Sequence, residues 1–128
     1  MNVNVLIDSC GWIQYFGKGS LVDKYAPYIV KADQKNYYTP SIVLYEVYKK
    51  IKSESSEEKA MEACAYIISY TTIVPLDEKA GLMAADASLR YDLPMVDAIV
   101  KASAEMHKAT IVTSDEHFED LDGIQFIA

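Results

Sequence analysis

The sequence has few of the residues that mark a cross-linked or zinc-binding protein. Only two of its 128 residues are cysteines and only two are histidines. Cys10 and Cys64 stand far apart, outside any C-x-x-C or Cys/His spacing, so neither a disulfide framework nor a zinc site is expected. We therefore expect a reducing, cytoplasmic setting.

Basic residues and long apolar runs are also scarce. Twelve lysines and arginines stand against 19 aspartates and glutamates, for a formal charge of −7. Broad electrostatic binding to nucleic acid needs a basic face, so any nucleic-acid partner must be held locally. The first residues lack a basic leader region, and no apolar run approaches the roughly 20 residues that cross a bilayer. Neither a secretion signal nor a membrane anchor is predicted.

The chain is rich in apolar residues, which make up 51% of the sequence. At this length they suffice for one compact domain with a core, but not for two. We therefore expect a single domain over residues 1–128.

Predicted strands alternate with predicted helices along the chain. Apolar and β-branched runs predict strands at 3–7, 37–39, 72–74, 110–113 and 124–127. Helical periodicity and capping residues predict helical segments at 9–16, 21–30 with a break at Pro27, 41–52, 57–69 capped by Ser55, 78–91 capped by Asp77, 96–108 and 114–121. This order indicates an α/β fold with a mostly parallel sheet, the first strand central and helices on both faces.

Four acidic residues stand at or near the points where predicted strands give way to helices: Asp8, Glu46, Asp97 and Asp115. Two of them come just after predicted strands: Asp8 directly follows 3–7, and Asp115 lies two residues after 110–113. In an open parallel sheet the loops at the carboxyl ends of the strands converge on one crevice, so distant carboxylates can meet there.

Each of these acids also has an ordinary explanation. Asp97 and Asp115 could cap helix N-termini, and Glu46 lies on the flank of its helix, where a solvated position would suffice. Asp8 is harder to dismiss, because a carboxylate at the end of a buried strand must be hydrogen-bonded, paired or bound to a cation.

Taken together, the four acids favour a metal site. Two like charges about 4 Å apart repel by about 4 kcal/mol at an effective dielectric constant near 20. A converging set therefore needs protons or a cation. Oxygen ligands without cysteine suit Mg²⁺ or Mn²⁺.

Four segments resemble PIN-domain ribonucleases, most closely the VapC-type toxins of toxin–antitoxin pairs. They are Leu6-Ile7-Asp8-Ser9, Pro40-Ser41 with Glu46 downstream, residues 93–100 and residues 111–118. The resemblance covers essentially the whole chain. It implies a three-layer α/β/α sandwich and metal-dependent hydrolysis of RNA phosphodiester bonds that leaves 5′-phosphate and 3′-hydroxyl ends. It also implies a small antitoxin partner and a homodimer.

The same resemblance assigns residues to the site. It makes Asp8, Glu46, Asp97 and Asp115 the catalytic, metal-binding acids, with Ser9 and Thr113 as polar support. The chain departs from relatives at Asp92, where glycine is frequent, and at His117, where a further acid is sometimes found. Whether Glu116 or Asp120 joins the site through water stays open, as does the number of metal ions.

Several residues close to the four acids in sequence have two possible roles. Lys49, Lys50 and Lys101 could contact phosphates, although solvated charges or weak helix pairs explain them better. The aromatic residues Trp12, Tyr15 and Phe16 could stack on a base or receive a partner, with core packing at least as good an explanation. For His107 and His117 no nucleophilic triad is indicated, and a surface or hydrogen-bonding role is predicted.

Two other classes of function compete with a nuclease. A receiver-type signalling domain also has an acidic Mg²⁺ pocket, but it carries paired acids after its first strand, where this chain has Asp8-Ser9-Cys10. A PIN-like module that binds without catalysis is the second alternative, and retention of all four acids argues against it.

Overall fold

The computed structural model describes residues 3–128; the expectation about a leader rests partly on Met1 and Asn2, which lie outside them. Within this range the strands are β1 (Asn4–Ile7), β2 (Tyr38–Pro40), β3 (Thr72–Val74), β4 (Ala109–Thr113) and β5 (Ile124–Phe126). The helices are α1 (Ser9–Gly17), α2 (Val22–Ile29), α3 (Ser41–Glu54), α4 (Glu57–Tyr70), α5 (Glu78–Tyr91) and α6 (Met95–Met106), with a 3₁₀ turn at Glu116–Phe118.

All strand pairings in the described residues are parallel. β1, β4 and β5 form one run of neighbours, and β2 pairs with β3. A parallel bridge between Val5 and Tyr37 joins the two runs, and the Val5 N–H donates to the Asn36 carbonyl at 2.8 Å. The order is therefore β3-β2-β1-β4-β5, which confirms the parallel sheet and the central position of β1.

Helices cover both faces of this sheet. Right-handed crossovers from β1 to β2 and β2 to β3 place α1–α4 on one face, and the crossover from β3 to β4 places α5 and α6 on the other. The packing of α1 on α3, α3 on α4 and α5 on α6 agrees with this division. The predicted three-layer α/β/α sandwich is confirmed.

The first helix packs unusually close to the sheet. A Cβ atom added to Gly11 would lie 2.6 Å from the Tyr25 ring and 2.7 Å from Ile7. Only glycine fits this contact without displacing its neighbours. The contact fixes the N-terminus of α1, which starts directly after Asp8.

Two predicted breaks differ from the structure. Pro27 lies inside α2 without interrupting it; because Pro27 and Asp23 are both exposed, water can replace the one helical hydrogen bond that proline removes. Pro40 was expected to stop the second strand but is its last residue, paired with Val74.

The predicted caps are right for one helix and displaced by one residue for another. Asp77 accepts from the Ala80 N–H at 2.9 Å, as expected. The cap of α4 is Ser56 rather than Ser55, and it accepts from the Lys59 N–H at 3.1 Å. Asp92 ends α5 with φ of 54°, a left-handed conformation that glycine adopts more readily than other residues.

The segment after β4 is shorter than predicted. Instead of a helix over 114–121, only Glu116–Phe118 form a 3₁₀ turn, anchored by the fully buried Phe118. Among the described residues no helix has both the length and the apolarity needed to traverse a bilayer.

Candidate metal centre

The candidate site lies at the carboxyl ends of β1 and β4. From β1 the chain adds strands in one direction, and from β4 it adds β5 in the other. The loops leaving β1 and β4 therefore part and open a crevice, the usual ligand position in an open α/β sheet. Asp8 directly follows β1, and Asp115 lies two residues after β4.

Asp8 is held in this crevice by two hydrogen bonds. Its Oδ1 accepts from the Ser9 N–H at 2.8 Å, and its Oδ2 accepts from the Thr113 hydroxyl at 2.9 Å. The Thr113 hydroxyl oxygen in turn accepts from the Asp115 N–H at 3.0 Å. Asp8 is only 4% exposed, and this burial raises its pKa to about 6, with smaller contributions from the charges of Glu46 and Asp115.

Glu46 points into the crevice from α3. Its Oε1 is buried and has no hydrogen-bond partner among the described residues. Burial raises the pKa of Glu46, the Ser9 hydroxyl partly offsets this, and the charge of Asp115 adds to the increase. The interpretation of Glu46 as a solvated residue is therefore wrong, because the flank of α3 that carries it faces the site rather than water.

Helix capping accounts for the position of Asp115 but not for that of Asp97. Asp97 lies in the first turn of α6 but makes no capping bond, so the capping explanation is wrong for it. Asp115 does cap the 3₁₀ turn, accepting from the His117 N–H at 3.0 Å. Burial raises the pKa of Asp97 to about 7, and a hydrogen bond with Asp115 and the charges of Asp115 and Asp8 contribute further.

The four carboxyl groups therefore line one crevice. Ligand atoms of Asp97, Asp115 and His117 lie within 4.8 Å of one another, whereas Asp8 and Glu46 are connected to this group through the effect of charge on their pKa. Asp115 raises the pKa of each of the other three, and Asp8 raises that of Asp97. Carboxylate oxygens are the ligands that Mg²⁺ and Mn²⁺ prefer, and the unpartnered Glu46 oxygen is a free ligand. The residues fit a divalent cation. That they bind one stays a prediction.

Comparison with known families agrees with this geometry. The family model of the PIN domain matches residues 5–124. The chain belongs to the PIN domain family. The receiver-type alternative is thereby excluded, and Asp8 and Asp115 lie at the strand ends of a PIN fold.

Solved structures with the same PIN fold cover nearly the whole chain. A toxin–antitoxin complex from Klebsiella pneumoniae is 19% identical, with a TM-score of 0.78 over 95% of this chain and 96% of that one. VapC20 of Mycobacterium tuberculosis, a toxin that cleaves the sarcin–ricin loop, is 15% identical, with a TM-score of 0.77 over 97% of each chain. A Pyrobaculum aerophilum protein is 18% identical, with a TM-score of 0.67 over 98% and 90%. No curated protein sequence matches significantly.

His117, which lies beside Asp97 and Asp115, was not assigned to the site from the sequence. The Nδ1 atom of His117 lies 3.0 Å from Asp97 Oδ2 and 2.8 Å from Asp115 Oδ1, and Asp115 raises its pKa. Its position two residues after Asp115 was the available signal. Glu116 and Asp120 are exposed, and no direct contact joins either to the four acids.

The lysines and aromatic residues around the site have mainly structural contacts. Lys50 pairs with Glu54 at 2.9 Å on the exposed face of α3, as expected of a helix pair. Lys101 is buried and donates to the Asp122 carbonyl at 3.0 Å, so it is neither solvated nor free for phosphate. Trp12 is fully buried and stacks on Phe16, which favours core packing.

The raised pKa values predict how the stability of the metal-free protein depends on pH. Folded Asp8 and Asp97 hold their protons more tightly than the unfolded chain, whose carboxyl pKa is near 3.8. Their stabilising contribution is complete below that value and disappears as pH rises through about 6 for Asp8 and about 7 for Asp97. His117, whose pKa is also raised, acts in the same direction at the upper end.

We therefore expect the unfolding free energy of the metal-free protein to fall by several kcal/mol between about pH 4 and pH 8. Metal-free Asp8→Asn should be more stable than wild type at neutral pH and show a flatter profile, while the exposed control Asp86→Asn should follow wild type. Denaturant unfolding in the presence of chelator measures all three. A wild-type stability that increases over this range would contradict the raised pKa values.

Proposed function

We propose that this protein is a divalent-metal-dependent ribonuclease that hydrolyses RNA phosphodiester bonds and is the toxin of a toxin–antitoxin pair. The observation that carries the proposal is the meeting of four carboxyl groups, one with a buried, unpartnered oxygen, at the β1/β4 crevice. PIN nucleases use divalent metals, and VapC20, which has this fold, is described as a toxin that cleaves the sarcin–ricin loop.

In this proposal Asp8, Glu46, Asp97 and Asp115 hold Mg²⁺ or Mn²⁺. The bound cation supplies positive charge that activates water and stabilises the charge developing on the phosphodiester. Ser9 and Thr113 orient Asp8 through the two hydrogen bonds described above. Because bound cations reverse the local charge, a chain with a net charge of −7 can accept a polyanionic substrate.

The alternative is a PIN-like module that binds its partners without catalysis. Such a module would have no need for buried carboxyl groups whose mutual repulsion destabilises the metal-free fold. That the chain keeps these destabilising carboxyl groups therefore favours the enzyme. The cleavage assay below distinguishes the enzyme from the binding module.

Purified protein should cleave RNA with added Mg²⁺ or Mn²⁺ and leave 5′-phosphate ends. We expect Asp8→Asn, Glu46→Gln and Asp97→Asn each to lose at least about 100-fold in rate, because each removes charge at the ions. Labelled RNA with gel analysis and end-group mapping measures this.

Asp86→Asn, an exposed acid on α5, is the matched control and should keep full activity, while chelator should stop cleavage by the wild type. Equal cleavage by wild type and the three site variants would point to a contaminating nuclease and overturn the proposed site.

We further propose that the antitoxin lies in a groove of about 580 Å³ between the end of α1 and the α3–α4 hairpin. Its apolar floor includes Ile13, Phe16 and Ile51, and its rim carries Lys18, Lys59, Glu54 and Glu62. An amphipathic segment fits such a surface. The proposal is supported by relatives of this fold described as toxin–antitoxin complexes.

Filling this groove should prevent neutralisation. Ser55 is exposed and lines the groove, so Ser55→Trp should block the antitoxin while leaving RNA cleavage intact. Ser53→Trp, an exposed position that does not line the groove, is the control. Co-expression with the product of an adjacent short reading frame, scored by growth, measures both; equal neutralisation of the two variants would place the antitoxin elsewhere.

A homodimer through α5 completes the proposal. Leu82 and Leu89 are 73% and 87% exposed, and their seven-residue spacing puts them on the same side of α5. Leu76, just before α5, and Met95, at the start of α6, are exposed as well, and exposed apolar side chains in this number favour an interaction surface.

Light scattering should give twice the 14.3 kDa mass of the chain. Leu89→Glu should reduce it to the monomer mass, because it buries a charge at the interface, whereas Lys79→Glu on the same helix should stay dimeric. A dimeric Leu89→Glu would exclude this face.

A further inference from the structure

His117 has a side chain aimed at the carboxylates from the solvent side of the crevice. Its Nδ1 is 3.0 Å from Asp97 Oδ2 and 2.8 Å from Asp115 Oδ1, although 58% of the side chain is exposed. One ligand atom from each of Asp97, Asp115 and His117 lies within 4.8 Å of the others.

These separations match those of ligands around a single ion. Two ligands in adjacent positions of an octahedral ion, each about 2.1 Å away, are about 3 Å apart. The Nδ1–Oδ2 and Nδ1–Oδ1 distances of 3.0 and 2.8 Å are of that size. In the metal-free protein the Nδ1–Oδ1 contact is a hydrogen bond, and a cation bound between these atoms would take the place of its proton.

The backbone holds His117 in this place. Asp115 caps the 3₁₀ turn through the His117 N–H, and the next residue, Phe118, is fully buried. The Thr113 hydroxyl fixes the Asp115 N–H from the other side. A ligand held by packed neighbours and hydrogen bonds loses little entropy on binding metal.

A histidine at this position also avoids a cost that another acid would bring. Burial is the main cause of the raised pKa of Asp8 and Asp97, and a fifth carboxylate would add to the charge repulsion that raises these pKa values further. A neutral imidazole adds a ligand without adding negative charge. The imidazole also changes which metal the site prefers, because nitrogen ligands suit transition metals whereas an all-oxygen set of ligands suits Mg²⁺.

We propose that His117 is a nitrogen ligand of the cation held by Asp97 and Asp115, and that it shifts the preference of the site from Mg²⁺ toward Mn²⁺. This inference rests on the metal site of the proposed function. It adds a specific residue and a specific metal preference to that site.

The test is spin-echo electron paramagnetic resonance of Mn²⁺ bound to the whole protein without RNA. The chain has only two histidines, so ¹⁴N modulation from a directly bound imidazole must come from His107 or His117. We expect the modulation in wild type and in His107→Ala, a control whose ring stacks on Tyr38. We expect none in His117→Ala or His117→Asp.

Calorimetric titration at one fixed pH gives the second readout. His117→Ala should weaken Mn²⁺ binding by about tenfold and Mg²⁺ binding by less than about threefold. His117→Asp, which restores an oxygen ligand, should bind Mg²⁺ at least as well as His117→Ala. Circular dichroism checks that each variant is folded.

The outcomes separate this inference from the proposed function. Mn²⁺ bound without ¹⁴N modulation, or an unchanged ratio of Mn²⁺ to Mg²⁺ affinity in His117→Ala, would overturn the role of His117 while leaving a metal-dependent nuclease intact. Modulation that depends on His117 in a protein that does not cleave RNA would support the ligand and overturn the nuclease. Absence of binding of both Mn²⁺ and Mg²⁺ would overturn both.

Discussion

The parallel pairing of β1 with β4 is the constraint on which the site depends. The Asp8 N–H donates to the Val112 carbonyl at 3.0 Å, which continues the ladder one residue beyond β1 and places Asp8 beside Thr113. The Thr113 hydroxyl then joins Asp8 to the backbone of Asp115. Residues more than 100 positions apart thus become neighbours through a few main-chain bonds, and the crevice opens there because the chain adds strands in opposite directions from these two.

The same arrangement stores electrostatic free energy. The hydrophobic core around β1 and β4 excludes water from Asp8 and Asp97, so their charged forms are disfavoured until a cation replaces the lost hydration. The fold accepts this cost because the remaining core is well packed around Leu6, Ile111 and Trp12. Stability and metal affinity are therefore opposed: the groups that weaken the empty fold are those that would bind the ion.

Sequence patterns predicted the parts of the molecule that depend on local order. The α/β alternation follows from the local patterns, and Asp8 and Asp115 could be located because the strand patterns end one and two residues before them. The helix pattern around Glu46 left a solvated position open, because the helix alone does not reveal the crevice beside its flank, and the family resemblance was what assigned Glu46 to the site. The His117 ring direction depends on a 3₁₀ turn fixed by buried Phe118, and Lys101 is buried because the loop before β5 folds over it. These are tertiary contacts, which periodicity does not encode.

The central claim is that distant carboxylates form one cation site, and crystals soaked in Mn²⁺ test it most directly. Anomalous diffraction near the manganese edge should give a peak enclosed by Asp8, Asp97 and Asp115, with a carboxylate oxygen of Glu46 facing it either directly or through water. Asp8→Asn crystals should lose most of that peak. Well-ordered crystals with full Mn²⁺ exposure and no peak in the β1/β4 crevice, or a peak only at surface acids such as Asp86, would contradict the account.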